Sequence, residues 1–305
     1  MAVRLFEGKD HAASYLRYRV SPRELITRIM DFMEKQTPKQ YNLAVDVGCG
    51  SGQGTVLLAQ HFTKVVGTDV SPAQLEMAST NTNPPNVSYR ECPAEELPFA
   101  NGEVDLVTAM TAAHWFDRQR FIQEADRVLR PGGCLALLSY SLNMKLEFGD
   151  VSDTLNDICE EFYAALLPFR SSYLGLSSMK IYFDLFNSCS YPDKEWNECF
   201  PVRRTVTLGE YIGMVQTFSS YERLKRKDPA EAERLSNYIQ NNAGDRTEQP
   251  SQQNTGKVLC RNFYLQEEVA VCHDDLVSGH RSYNDCSLFL LAGKKTVTDL
   301  FWKHT

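Results

Sequence analysis

Asp46-Val-Gly-Cys-Gly-Ser-Gly-Gln-Gly54, set between the apolar runs Leu43-Ala-Val-Asp-Val47 and Lys64-Val-Val-Gly-Thr68, decides the fold. The first run reads as a short buried strand. The glycines at 48, 50 and 52 let the chain turn tightly and bring bare backbone close to a ligand. Val56-Leu-Leu-Ala59 then starts a helix, and the second run is a second strand. Asp69 sits at the C-terminal tip of that strand, where an acid accepts hydrogen bonds from both hydroxyls of a ribose. The glycine spacing is GxGxG. A dinucleotide fingerprint needs a third small residue for helix packing, and counted from Gly48 that position holds Gln53.

Working outward, strands and helices alternate from 43 to 140, which predicts a parallel sheet covered on both faces. Ser71-Pro72 starts the second helix, and Val87-Ser-Tyr-Arg-Glu91 is the third strand. Asn101-Gly102 turns into the fourth, Val104 to Met110. The next helix carries Phe121, Ile122, Ala125, Val128 and Leu129 on one face, with Arg130 suiting its C-terminal end and Pro131-Gly-Gly133 stopping it. Cys134 to Tyr140 is the fifth strand. Residues 1–40 read as an arm and a helix, capped at Ser21 with Pro22 as its first residue. Beyond Tyr140 the segment to 200 is rich in aromatics with weak periodicity, and 207–240 is mainly helical. Residues 241–257 hold no large apolar side chain and read as a mobile loop. Phe263-Tyr-Leu with Val269-Ala-Val271, and Ser287 to Ala292, are the last two strands.

The chain of 305 residues suits one large domain with a substantial insert. A net charge of −7 argues against nucleic acid as the main partner. The longest apolar stretches, such as Cys134-Leu-Ala-Leu-Leu138, are too short to span a bilayer, and the first ten residues carry no signal core. Nine cysteines without a CxxC pair point to reduced thiols, so a cytoplasmic protein with neither disulfide framework nor bound metal is expected. Cys49 reads as a small packing residue inside the glycine loop.

GxGxG preceded by Asp46 resembles motif I of the class I S-adenosylmethionine (SAM) methyltransferases, and Asp69 resembles their ribose-binding acid. The resemblance implies an α/β, Rossmann-like class I methyltransferase fold. Its mostly parallel seven-stranded sheet would end in a C-terminal antiparallel hairpin and carry a mainly helical cap insert. It divides the chain into an arm and helix (1–40), a SAM-binding core (41–140), a substrate cap (141–258) and the closing strands (259–305). SAM is the implied cofactor, held by Asp46, Gly48, Cys49, Gly50, Gly52, Asp69, Val70, Ala94, Glu95, Met110 and Trp115. Cys92-Pro-Ala-Glu-Glu-Leu-Pro-Phe99 is similar to the family segment that reads adenine, commonly G-D-A-E-x-L-P-F. Here Pro93 replaces the acid and offers no amide, which leaves that task to the Ala94 backbone and the Glu95 side chain.

Met110-Thr-Ala-Ala-His-Trp-Phe-Asp117 follows the fourth strand, where the methyl group is expected. This segment, the arm Tyr15-x-x-Tyr-Arg19 and Thr217-Phe-Ser-Ser-Tyr221 resemble the trans-aconitate methyltransferase-like branch, which methylates a carboxylate oxygen. The acceptor implied is a small organic acid. A quinone-like carbon, a hydroxyl or a protein side chain, or SAM binding without activity, are the alternatives. No [DN]-P-P-[YF] follows the fourth strand, which argues against an amine of adenine or glutamine as acceptor. His114 reads as a positioning residue or a base. A carboxylate ionises at about pH 4 and needs no base at neutral pH, which favours positioning. Tyr15, Tyr18 and Arg19 form either a solvated arm or a lid whose arginine meets a carboxylate. Arg170, Arg203 and Arg204 are further candidates for a substrate anion.

Overall fold

The computed structural model describes residues 8–19, 23–36, 40–80, 82–139, 144–171, 178–198, 203–247, 257–262 and 287–292. Two helices open the chain, α1 (Lys9–Tyr18) and α2 (Arg23–Gln36). The alternating region follows as β1 (Leu43–Val47), α3 (Thr55–Leu58), β2 (Lys64–Asp69), α4 (Pro72–Thr80), β3 (Val87–Glu91), β4 (Val104–Met110), α5 (Arg118–Val128) and β5 (Leu129–Ser139). The later chain supplies β6 (Met144–Glu147), α6 (Ser152–Leu166), α7 (Ser178–Ser188), β7 (Asp193–Glu198) and β8 (Arg203–Thr207). It continues with α8 (Leu208–Gln216), α9 (Ser219–Lys227), α10 (Pro229–Thr247), β9 (Lys257–Asn262) and β10 (Ser287–Ala292).

The main sheet runs β3-β2-β1-β4-β5-β10-β7. Five strands, β3 to β5 in that order, are parallel. All five residues of β1 are buried, as a central strand covered on both faces requires. On one face Phe121, Ala125 and Val128 of α5, with Tyr182 and Leu185 of α7, pack on Val45, Val107, Leu135 and Leu137. The other face buries Leu25, Ile26, Ile29 and Met33 of α2, with Leu58 of α3, on Ala44, Val65, Leu106 and Ala136. The apolar side of α2 therefore faces the sheet. Its cap residues Ser21 and Pro22 lie outside the described residues.

The sheet has seven strands, five of them parallel, but its closing strands correct the expectation of a C-terminal hairpin. β10 joins β5 antiparallel, pairing Ser287 with Ser139 and Ala292 with Cys134, but its other neighbour is β7, from 90 or so residues upstream. The predicted partner, 263–271, lies outside the described residues. The described part of 141–258 is mainly helical, as expected, and it also holds strands. β6, β9 and β8 build a separate three-stranded antiparallel sheet, while α7 and β7 return to the core. The cap has its own interior, where Leu155, Phe162, Tyr211, Val215, Leu224 and Ile239 meet. A capping box, in which Thr207 and Glu210 bond each other's backbone amides, starts α8. Residues 241–247, expected in a mobile loop, continue α10, and Lys257 already begins β9. Pro131-Gly-Gly133 lies inside β5 rather than ahead of it, next to a register shift between Val104 and Leu106 of β4.

Candidate functional site

Strand order reverses between β1 and β4, and the glycine loop crosses the carboxyl edge of the sheet at that point, where open α/β sheets bind ligands. Gly48, Gly50 and Gly52 have φ of 68°, 55° and 83°, in the left-handed region that side chains disfavour. Two of the three also have no room for a Cβ. At Gly48 it would lie 2.5 Å from Ala112 Cβ, and at Gly52 it would strike the Tyr89 hydroxyl. Gly50 differs. A Cβ there would have as nearest neighbours Gln74 Oε1 at 3.7 Å and the Tyr15 ring at 3.8 Å.

Two acids fix this loop from opposite sides. Asp46 is 1% exposed, and its oxygens accept hydrogen bonds from Thr55 (2.6 Å) and Thr108 (2.8 Å). It was expected among the cofactor ligands, but it works from behind the loop, tying β1 to α3 and β4. Burial raises its pKa from the ordinary 3.8 to about 6, against the lowering effect of the two threonine hydroxyls. Asp69 stands at the surface side of the loop. Its Oδ2 accepts from the Gly50 amide and its Oδ1 from the Ser71 amide, both at 2.9 Å. A carboxylate oxygen accepts more than one hydrogen bond, so this anchoring is compatible with a ligand hydroxyl. Val70 follows, half-buried. Cys49 is a packing residue. Its thiol is buried against Gly67, and desolvation with the two neighbouring acids raises its pKa well above the usual thiol value.

Gln74, on α4, carried no signal in the sequence reading. It is 2% exposed, and its Oε1 is sealed without a donor beside Gly50. Such an acceptor is satisfied by a donor group of a bound molecule, for example a ribose hydroxyl or an amine. A loop of bare glycine backbone, an acid at the second strand and this orphan acceptor together fit a ribose-bearing cofactor with a free amino group.

α1 covers the loop. The Tyr15 carbonyl accepts from Gln53 Nε2 at 3.0 Å, and Lys9 pairs with Glu76 of α4. The same helix docks on the cap: Arg19 Nε donates to Thr217 Oγ1 (2.8 Å), His11 Nε2 meets the Thr217 carbonyl (3.2 Å), and the Tyr18 ring lies against Gly213. The Arg19 guanidinium stands 5.1 Å from the Tyr15 ring centre and 5.0 Å from that of Phe218. Tyr15, Tyr18 and Arg19 therefore bridge core and cap rather than standing in solvent. Arg170 is exposed, at the end of the turn Leu167–Phe169, while the side chains of Arg203 and Arg204 lie outside what the structure describes.

The residues expected on the adenine side also have places in the protein frame. Ala94 is buried in the main core at 5% exposure, and Glu95 accepts from the Asp117 amide at 2.7 Å, so its carboxylate serves the start of α5. Met110 packs on the α2 face of the sheet. After β4, Thr111 takes φ 58°, a strained value for a β-branched residue, and its amide donates to the Leu138 carbonyl at 2.7 Å. That kink places the 3-10 turn Ala113–Trp115 directly beyond Ala112, which touches the glycine loop. His114 Nδ1 lies 3.1 Å from the Tyr182 hydroxyl of α7, and the His114 and Trp115 ring centres are 4.9 Å apart. Burial pulls the His114 pKa down to about 3, so the ring is neutral. Trp115 also lines a groove of about 1190 Å³ with Pro93, Ile122, Ile181 and Leu185.

Comparison with known proteins agrees with this geometry. Residues 45–137 match the family described as Methyltransferase domain. A Dictyostelium discoideum protein named as a methyltransferase is 40% identical over 129 residues, which are 42% of this chain and 47% of that protein. A Saccharomyces cerevisiae protein named as an S-adenosylmethionine-dependent methyltransferase is 29% identical over 244 residues, 72% of this chain and 82% of that one. The chain thus spans about half of the first relative and four-fifths of the second. Among solved structures, one described as a type II methyltransferase from Anaeromyxobacter dehalogenans shares the fold. Its TM-score is 0.59 at 22% identity, over 90% of this chain and 97% of that one. Residues 45–137 thus match a methyltransferase domain, in a chain whose fold is shared with a solved methyltransferase structure. Among the described residues no helix is long and apolar enough to cross a membrane.

Proposed function

We propose that this protein transfers the methyl group of SAM to a small molecule, and that the acceptor is the carboxylate oxygen of a small organic acid. The observation that carries this reading is His114. It follows β4 beside the glycine loop, and its ring, with a pKa of about 3, is a poor proton acceptor at neutral pH. A carboxylate, ionised above about pH 4, has no proton to remove. A hydroxyl or protonated amine would need a base that this histidine does not supply.

Asp69 would hold the ribose, the Gly50 backbone and Gln74 the remaining polar groups, and the segment after Pro93 would border adenine. When bound, SAM would supply a sulfonium-linked methyl carbon to a lone pair of the acceptor oxygen, its C–S bonding pair staying with sulfur. The protein's own share is to align the acceptor and exclude water. α1 supports that role, since it lies between loop and cap and is bonded to both. The similarity of the segments at 15–19, 110–117 and 217–221 to the trans-aconitate methyltransferase-like branch supports the carboxylate, by analogy of fold and motif.

Incubation with methyl-labelled SAM and a panel of small organic acids tests the reading. The expected product is a base-labile methyl ester, formed at a rate that holds down to about pH 5. A base-stable methyl product, or a rate falling tenfold per unit below pH 7, would place the methyl on another nucleophile.

A further inference from the structure

We propose that Tyr182 of α7 sets which nitrogen of His114 carries the proton, making this histidine a hydrogen-bond donor toward the methyl acceptor. Tyr182 is then a positioning residue acting through His114.

Tyr182 is fully buried, in the main core between α7 and the sheet. α7 packs against both β5 and the turn Ala113–Trp115, so this hydroxyl reaches the segment after β4 across 68 residues of sequence. The His114 ring is flanked by Trp115, with centres 4.9 Å apart and planes at 52°, and by Tyr182, at 6.0 Å and 60°. With Nδ1 at 3.1 Å from the hydroxyl, little rotation is left to the ring.

The direction of that hydrogen bond follows from the two groups. A neutral imidazole has one N–H and one bare nitrogen. The bare nitrogen is a stronger acceptor than a phenol oxygen, and a phenol O–H is a good donor that must find an acceptor when buried. The favoured arrangement is Tyr182 O–H donating to Nδ1. The proton of His114 is then on Nε2, an edge with no protein partner among the described residues. An N–H at that place accepts no proton. It offers a hydrogen bond to a lone pair, and so favours an acceptor molecule bearing an anionic or carbonyl oxygen over one that presents N–H or O–H donors. The inference rests on the methyl-transfer reading for what His114 meets, but the tautomer does not depend on that reading.

The test is 15N NMR of histidine-labelled full-length protein without ligand, the His114 signal being assigned by its loss in His114→Gln. The Nε2–H tautomer is expected in the wild type and a mixture of tautomers in Tyr182→Phe. In turnover, Tyr182→Phe should raise the KM of the acid about tenfold, the effect of one lost charge-assisted hydrogen bond, with SAM affinity unchanged. A wild-type signal from the Nδ1–H tautomer overturns the proposal, and so does a Tyr182→Phe variant with wild-type tautomer and KM. Should the variant not fold, the wild-type spectrum still decides the tautomer. An Nε2–H signal in a protein that methylates no acid would support the Tyr182–His114 pairing and overturn the acceptor assigned under methyl transfer.

Discussion

The loops after β1 and after β4 meet at the Gly48–Ala112 contact, yet they are built on opposite principles. The first puts its left-handed backbone on three glycines, where it costs little, and ties each turn to a neighbour through Asp46, Asp69 and their hydroxyl and amide partners. The second puts its left-handed residue on Thr111, at a cost of about 1–3 kcal/mol, and depends on a tyrosine from a distant helix to hold its histidine. The first loop is a general cradle whose parts are adjacent in sequence. The second is a particular site whose parts come together only in the folded chain. Such strain persists only where surrounding packing imposes it, as α7 and β5 do here.

Asp69→Ala strikes the first loop hardest. It removes the acceptor for the Gly50 and Ser71 amides together with the proposed ribose contacts. SAM affinity should fall by about 2–4 kcal/mol, read by calorimetric titration. Wild-type affinity in this variant would mean that the glycine loop holds its shape and its ligand without the acid, and the contrast between the loops would lose its basis.

Asp46 gives a pH-dependent effect of similar size on stability. Its folded pKa, about 6, lies above the unfolded 3.8, so the folded state retains a proton that the unfolded state releases. The contribution is complete below about pH 4 and is lost as pH rises through 6, by up to about 3 kcal/mol. Urea unfolding of the wild type should show this decline between pH 4 and 6, and Asp46→Asn should flatten it. A wild type that gains stability over that interval relative to the variant would show an Asp46 already ionised at pH 4.

Thr111→Gly tests the second loop. Glycine relieves the φ of 58° but adds backbone freedom to the unfolded chain, a net gain of about 0.5–1 kcal/mol. Thermal melting should show a variant as stable as the wild type or slightly more so, with slower turnover as the turn at His114 loosens. A loss of more than 1 kcal/mol would mean that the threonine side chain contributes contacts outweighing its strain.

The same contrast explains what the sequence could disclose. Gly48, Gly50, Gly52 and Asp69 lie within 22 residues, and each is required by its own backbone or by a neighbour in the motif, so a local pattern was enough to read them. Tyr182 and Gln74 carried no local mark, since an aromatic on an apolar helix face and a glutamine on α4 acquire meaning only from what the fold sets opposite them. The cap was harder still. β6, β8 and β9 are four to six residues each and are drawn from 144, 203 and 257 onward, so their pairing is a property of distance in space that no window of sequence contains. β7 misled for another reason: Asp193-Lys-Glu-Trp-Asn-Glu198 is a polar edge strand, and charge at an edge discourages pairing with other chains while erasing the apolar signature.

The smallest effect is expected at Glu95, in the segment where Pro93 already departs from the family pattern. Glu95 occupies the segment that reads adenine in similar proteins, but its carboxylate accepts the Asp117 amide at 2.7 Å and so helps to set the start of α5. Glu95→Gln keeps a carbonyl acceptor for that amide and removes only a negative charge near a helix N-terminus, worth about 0.3–1 kcal/mol. Melting should therefore register a slight loss, and titration with SAM none. A tenfold weaker SAM in this variant would assign the carboxylate to the cofactor rather than to α5. The adenine end would then belong with the second loop, as a place where one side chain serves both the ligand and the frame around it.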